Sequence, residues 1–189
     1  MINFNTSKIK DMSYIFRSCQ SLNSLDLSSF DTSHVTKMNN MFMECKGLKY
    51  LDISSFNTSL VETMGGMFCY CESLTSLNLA HFDTHRVYDM SSMFSYCASL
   101  SFLNIENFNT ISVNNMAMMF SYDSNLAALD MTYFDTRKCE SFYFIFEGCT
   151  NLVLTLNIEK CLNLYGWVPN YVKVKNVTNI LYKKLVSLK

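Results

Sequence analysis

Eight cysteines and three histidines are the residues of this 189-residue chain whose chemistry includes disulfide formation, metal binding and nucleophilic catalysis. The histidines are scattered, at His34, His81 and His85, and the segment closest to a metal motif is Cys69-Tyr70-Cys71. A zinc site needs several Cys, His or carboxylate ligands that converge on one point. We therefore predict no metal site.

Five of the cysteines share one phase of a 26-residue interval, and Asp123 interrupts their series. The series favours a column of reduced, buried thiols, because a free cysteine packs as a small hydrophobic residue. Disulfides between neighbouring members are the alternative, and they need a geometry that spacing alone does not ensure. A buried Asp123 needs backbone amides or a raised pKa, unless its loop bulges outward. The five cysteines are Cys19, Cys45, Cys71, Cys97 and Cys149.

The polar residues recur in the same register as the apolar ones, which is typical of structural positions. Catalysis needs convergent groups of different pKa, such as a nucleophile beside its base. The sequence also carries no phosphate-binding glycine loop, nucleophile elbow or zinc-binding helix. We predict no catalytic residue, no enzyme activity and no cofactor.

Charge and hydropathy exclude two further classes. The net charge is −1 and charged residues make up 16% of the chain, so the basic footprint of a nucleic-acid-binding protein is missing. No run of about 18 apolar residues is present to span a membrane. The start, MINFNTSKIKDMS, has no apolar centre of the signal-peptide type. We expect no nucleic-acid partner and no membrane span, in a protein that either stays inside the cell or is a piece of a longer chain.

A repeat of 26 residues organises the chain, since the triplet Phe-[Asn/Asp]-Thr returns six times. With that Phe as position 1, the apolar positions 6, 9, 12, 13 and 16 predict a short helical segment. Positions 22 and 24 flank one polar residue, which predicts a strand with one buried face; in the sixth repeat an inserted residue moves this pair to Leu156 and Ile158. Each unit buries its apolar face only by stacking, so we expect the six strands to pair as one sheet. The repeats begin at Phe4, Phe30, Phe56, Phe82, Phe108 and Phe134.

Two polar or aromatic columns follow from the same register. The Asn/Asp-Thr pair at positions 2 and 3 predicts a helix start, with either residue as the cap. Tyrosines at position 15 of three successive repeats predict an exposed stripe that either stiffens loops or makes contacts. They are Tyr70, Tyr96 and Tyr122.

Residues 1–158 are therefore predicted to form the six repeats, and residues 159–189 a C-terminal cap. In the cap, we expect Trp167 and Val168 to plug the last repeat. The segment YVKVKNV alternates like an edge strand whose lysines discourage further pairing.

The N-terminal repeat has almost nothing before it to cover Phe16, Leu22 and Leu25. An uncovered end exposes apolar side chains. We expect either more chain upstream or end-to-end self-association through this repeat.

The segment MFMECKGLKYLDISSFNTSLVETM, residues 41–64, resembles the BspA-like leucine-rich repeats of bacterial surface proteins, and the resemblance extends over residues 4–158. It implies an α/β solenoid: a right-handed leucine-rich-repeat coil with a parallel sheet on the concave side and short helical segments on the convex side. It also implies adhesion or surface recognition by a secreted or cell-surface protein. Such proteins usually carry an export signal, which this chain does not show, so the compartment stays open.

The concave sheet is the usual binding face of stacked repeats. Strand alternation places positions 21, 23 and 25 outward, as a shallow polar trough with two aromatic walls. We expect a protein, peptide or glycan ligand there, while a merely soluble face, a structural spacer or an intracellular protein-interaction repeat are the alternatives. The candidate binding residues are Tyr50, Asp52, Asn78, Phe102 and Asn104.

Overall fold

The alternation of apolar and polar residues in each repeat produces short parallel strands, because one face of each strand is buried and the other exposed. A computed structural model describes residues 5–176 of the protein. The strands pair in parallel, β1 with β2 and, in a second sheet, β3 with β4 and β4 with β5, where the bounds are Ser76–Asn78 (β1), Phe102–Asn104 (β2), Ala128–Met131 (β3), Val153–Leu156 (β4) and Lys173–Asn176 (β5).

The strands do not form the single six-stranded sheet that the repeat predicts. The strand segments of the first two complete repeats meet through one bridge, between Asp26 and Asp52. Within residues 5–176, no bridge joins Asp52 to β1, and none joins β2 to β3. Strands of three or four residues make few ladder hydrogen bonds, so the pairing divides into separate small groups.

The sixth repeat is one residue shorter at its strand, where the sequence predicted an insertion. Leu129 pairs with Leu154 and Met131 with Leu156, an offset of 25 residues. The alternation continues from Leu154 to Ile158, and all three apolar residues of this run are fully buried. Because the run fits either register, spacing alone selected the wrong pair.

The helical segments predicted at positions 6–16 are wrong. The part of the chain that the structure describes contains one helix, α1 (Leu162–Tyr165), which lies in the cap. Each predicted segment is instead a series of turns with left-handed residues at positions 11 and 15, such as Asn40 (φ 55°) and Glu44 (φ 62°). A left-handed residue interrupts a helix, and no helix within residues 5–176 is long and apolar enough to cross a membrane.

Alternate amide groups of these turns point toward the next repeat rather than back along their own segment. Each donates to the carbonyl oxygen 25 residues further along the chain, at 2.8–2.9 Å: Asn40 to Gly65, Phe42 to Met67 and Glu44 to Cys69. A ladder of parallel bridges at position 8 also runs without a break through all six repeats. It joins Asp11, Lys37, Thr63, Asp89, Asn115 and Ser141 in that order.

The core consists of side-chain columns, as the repeat predicts. The position-13 phenylalanines stack with ring centroids 5.5–5.8 Å apart and ring planes within 9° of parallel. The cysteines are free thiols. In their column each buried Sγ donates to the position-13 carbonyl of the preceding repeat, for example Cys71 to Phe42 at 3.2 Å. The stacked rings are Phe16, Phe42, Phe68, Phe94, Phe120 and Phe146.

The Asn/Asp-Thr pair divides two tasks that the sequence left undecided. The position-2 side chain accepts the amide hydrogen two residues on, as Asp31 does from Ser33 at 2.9 Å, which forms an Asx turn. The position-3 threonine is buried and bonds to the next repeat. Thr84 Oγ1 accepts from the Asn109 amide at 2.8 Å and donates to the Asn109 carbonyl oxygen at 3.0 Å. Neither residue caps a helix.

The C-terminal cap covers the last repeat with different residues from those predicted. Cys161 and Leu164 are fully buried, whereas the Trp167 side chain is 45% exposed and packs edge-on against Tyr143. Val168 is partly buried against the core. The large indole lies at the surface because these two smaller apolar side chains already fill the end of the core.

The edge strand predicted in the cap is present as β5, and the side chains of Lys173 and Lys175 point to solvent. Of the predicted edge segment, residue 177 lies outside the described residues. At the other end, Phe16 and Leu22 are partly buried while their equivalents Phe42 and Leu48 are fully buried. Phe4, the first residue of the first repeat, also lies outside the described residues.

Candidate functional site

Four of the five residues predicted to bind a ligand carry exposed or half-buried side chains on what we call the strand face, the side chains at repeat positions 21 and 23. Tyr50 is 65% exposed and Phe102 is 56% exposed. The register of β1 and β2 sets Asn78 opposite Asn104 and Ser76 opposite Phe102. Since neighbouring strands lie about 4.8 Å apart, the two aromatic side chains stand roughly 10 Å apart with a serine between them.

Asp52, the fifth residue, lies on the same face but is engaged locally. Its Oδ1 accepts the Ser54 amide hydrogen at 3.0 Å. This bond and the Ser54 hydroxyl lower the pKa of Asp52, so its carboxylate is ionised at neutral pH. Asn78 and Asn104 make the same bond to Ala80 and Glu106. The polar residues of the strand face therefore each form an Asx turn that ends their strand.

A groove at the end of the strand face was missed by the sequence reasoning. It has a volume of about 480 Å³, within the range of small-ligand sites. Tyr133, 67% exposed, forms one wall at position 26, where the other repeats carry Ser, His or Asn. That aromatic substitution in a small polar column is the signal that could have found it. The groove is lined by Glu106, Asn107, Phe108, Asn109, Ile111, Tyr133, Asp135 and Lys160.

The buried thiols are poor nucleophiles. Burial raises the pKa of Cys45 and Cys69 to about 11 and that of Cys149 to about 12. The thiolate is the reactive form and the metal ligand. Among residues 5–176, no group of three or more His, Cys, Asp or Glu side chains is placed to hold a metal ion.

Asp123 lies in the cysteine column and is fully buried. Its Oδ1 accepts the Cys97 amide hydrogen at 2.9 Å, while its Oδ2 has no hydrogen-bond partner. Burial raises the pKa of Asp123 well above its ordinary value, against the opposing effect of the Cys97 amide. The alternative of an outward bulge is therefore wrong, and the carboxyl accepts a backbone amide as the other alternative predicted.

The predicted tyrosine stripe is a stacked column. Tyr70 and Tyr96 have ring centroids 4.4 Å apart and planes within 8° of parallel, and Tyr96 and Tyr122 follow at 4.6 Å. The Lys46 ammonium lies 5.8 Å from the Tyr70 centroid, at cation–π distance. All three tyrosines adopt left-handed backbone angles, with φ of 60–63°. The stack thus stiffens the turns at position 15.

The chain was compared with family models, curated proteins and solved structures. A family model described as "Mycoplasma protein of unknown function, DUF285" matches residues 1–101 and, in a second match, residues 73–183. The two matches overlap within the repeats and together extend over nearly the whole chain. No curated protein and no solved structure matches it.

Proposed function

The chain belongs to this family of proteins of unknown function, DUF285, and on that premise we propose that it is a non-catalytic interaction module. Its ligand is a protein, peptide or glycan, and its binding surface is the strand face. The carrying observation is the pair of exposed aromatic side chains, Tyr50 and Phe102, on a surface of small polar residues. Exposed aromatic side chains are enriched in binding interfaces because they bury a large area on contact.

The proposal includes the finer architecture. We assign the repeats to the BspA-like leucine-rich class and the stacked repeats to a right-handed solenoid with the strand face on its concave side. The parallel pairing in 26-residue steps supports this assignment, as do the two family matches. Turns replace the convex helical segments of the predicted architecture. Adhesion or surface recognition is the role that fits such a module.

The proposal is tested by screening the full chain on peptide and glycan arrays and then titrating any ligand found. The double variant Tyr50→Ala with Phe102→Ala is expected to lose at least about tenfold in affinity, or 1.4 kcal/mol. Phe144→Ala is the matched control, because Phe144 is 62% exposed but lies at turn position 11. A ligand that binds the double variant and the native chain equally contradicts the strand-face site.

A structural spacer with no ligand of its own is the second candidate. The Asx turns favour it, because the polar strand-face residues make the same local bond in repeats with and without an exposed aromatic residue. Arrays on which the folded chain binds nothing would support the spacer over the interaction module.

Self-association through the N-terminal repeat stays part of the proposal for partners. Phe16, Leu22 and Leu25 are only partly buried, so a second copy that packs against them would cover apolar surface.

A further inference from the structure

A polar groove crosses the turn side of the first four repeats, and we call it the glycine groove. It has a volume of about 400 Å³, and its rims are Tyr14, 52% exposed, and Tyr88, 45% exposed. The two rims belong to the first and fourth repeats, about 14 Å apart at a spacing of 4.8 Å per repeat. The groove is lined by Tyr14, Asn39, Asn40, Thr63, Gly65, Gly66, Tyr88, Asp89, Ser91 and Ser92.

The floor of the groove is the Gly65-Gly66 pair at positions 10 and 11. Backbone conformation does not require these glycines. Gly66 has φ 63°, but Asn40 and Ser92 adopt the same left-handed conformation at position 11 with side chains present. Gly65 has no positive φ. What the pair does provide is space, because the third repeat lacks the two side chains that every other repeat carries there.

Three side-chain oxygens converge on the space above Gly65. A methyl group there would lie 3.0 Å from Asp89 Oδ2, 3.3 Å from Ser91 Oγ and 3.4 Å from Asn39 Oδ1. Such a group therefore meets hydrogen-bonding atoms on three sides.

These polar side chains are held in place before any ligand arrives. Asn39 Nδ2 donates to Thr63 Oγ1 at 2.6 Å, and Asn39 Oδ1 accepts the Gly65 amide hydrogen at 3.1 Å. Asp89 Oδ1 accepts the Ser91 amide hydrogen at 3.0 Å, and Oδ2 is the oxygen nearer to Gly65. Fixed donors and acceptors reduce the entropy that binding costs.

From this geometry we propose that the glycine groove binds a neutral carbohydrate. Hydroxyl groups of a sugar match the serine, asparagine and carboxylate oxygens of the floor, because a hydroxyl both donates and accepts. The flat faces of sugar rings match the exposed tyrosine rims, whose rings offer apolar surface and a polar tip. Asp89 is the one charged residue of the lining, so the groove does not favour a strongly charged ligand.

The volume and the distance between the rims fit a short oligosaccharide rather than a single sugar ring. This site is separate from the strand face, since its residues occupy positions 7–11 and those of the strand face positions 21 and 23. It does not depend on the proposed function.

The test uses the full chain, labelled with nitrogen-15 and titrated with a panel of neutral trisaccharides: cellotriose, maltotriose, mannotriose and chitotriose. We expect at least one of them to shift the amide signals of Gly65, Gly66 and Ser92 together. Tyr88→Ala is expected to weaken that binding at least tenfold, and Tyr88→Phe to retain it because the ring is kept. Gly65→Ala is expected to abolish it by filling the floor, while Gly166→Ala, whose added methyl group meets nothing within 4 Å, leaves it unchanged.

Three outcomes overturn the proposal. They are no shift at the groove amides with any trisaccharide, shifts confined to another surface, and equal binding by Tyr88→Ala and the native chain. Because Gly65→Ala also crowds Asp89, the proton spectrum of that variant must match the native one outside the groove. If it does not, the Tyr88 pair decides the question alone.

Discussion

At the residue scale, the polar side chains of each repeat satisfy the backbone rather than one another. Position-2 and position-23 side chains accept the amide hydrogen two residues on, and the position-3 threonine accepts and donates one hydrogen bond across to the next repeat. Unpaired backbone groups are costly when buried. This requirement explains why a chain with only five glycines and one proline turns so often on Asn, Asp, Ser and Thr.

Replacing a threonine of the position-3 column removes both of its bonds to the next repeat. We expect Thr84→Val, which keeps the shape of the side chain, to lower the free energy of unfolding by about 1–3 kcal/mol, because the Asn109 amide and carbonyl groups lose their partner. Denaturant unfolding measures the loss. Thr75→Val is the control: the Thr75 side chain is exposed, so its change is expected to stay within about 0.5 kcal/mol. Equal effects at both positions would contradict the role of the column.

Asp123 is the residue that departs from the cysteine column, and it predicts a pH dependence. Its pKa is raised above the unfolded value, so its neutral form suits the folded state. Stability is unaffected below about pH 4 and falls as the pH rises toward the folded pKa, because the unfolded chain then releases the proton more readily.

We therefore expect Asp123→Asn to stabilise the protein, by little at pH 4 and by an amount on the order of 1–3 kcal/mol at pH 7. Thermal unfolding of both chains across that pH range measures the difference. Asp26→Asn is the matched control, because the Ser28 hydrogen bonds lower the pKa of Asp26 and its replacement gives no such gain. A stabilisation by Asp123→Asn that is the same at pH 4 and pH 7 would refute the buried, protonated carboxyl.

At the scale of elements, the strands followed from the sequence and the helical segments did not. Alternation around one polar residue identifies a strand because it specifies which face is buried. The spacing of positions 6, 9, 12, 13 and 16 also specifies burial correctly, since Val35, Met38, Met41, Phe42 and Cys45 are all fully buried. It does not specify where the amide groups bond, and here they bond to the next repeat.

The left-handed residues that replace the helix are ordinary side chains, which is why the sequence hid them. Tyr14, Asn40, Ser92, Met118 and Phe144 all have positive φ at position 11. Non-glycine residues adopt this conformation at a cost that stacking of the repeats must offset. A turn prediction that relies on glycine and proline cannot detect them.

Two glycine substitutions distinguish a required left-handed turn from an ordinary one. Gly148 has φ 75°, and an added methyl group would lie 2.7 Å from the Tyr122 ring and 3.1 Å from its Cα. We expect Gly148→Ala to lower the free energy of unfolding by about 1–2 kcal/mol.

The control, Gly166→Ala, is expected to change stability in the opposite direction. Gly166 ends α1 with φ −65° and has open space around it. Alanine fits that conformation and reduces the entropy of the unfolded chain, for a gain of about 0.4–1 kcal/mol. Denaturant titration of both variants gives the signs, and a stabilising Gly148→Ala would contradict the turn geometry.

At the scale of the whole molecule, equivalent residues form columns, and this much was predictable from a period of constant length. The phenylalanine, cysteine and tyrosine columns all follow from it. The candidate sites follow from it less well, because grooves form where a repeat departs from the pattern. Tyr133 and the Gly65-Gly66 pair are such departures, and their effect depends on neighbours one repeat away. The residues of the strand face were placed correctly, but their local hydrogen bonds were not foreseen.

The central claim is that each turn segment bonds to the next repeat rather than to itself. Scalar couplings across hydrogen bonds, measured by nuclear magnetic resonance on a deuterated, carbon-13 and nitrogen-15 labelled chain, test it most directly. The structure predicts a coupling between the Phe42 amide nitrogen and the Met67 carbonyl carbon, and likewise from Asn40 to Gly65. A coupling from Phe42 to the Met38 carbonyl, four residues earlier, would mean that the segment is helical and would contradict the account.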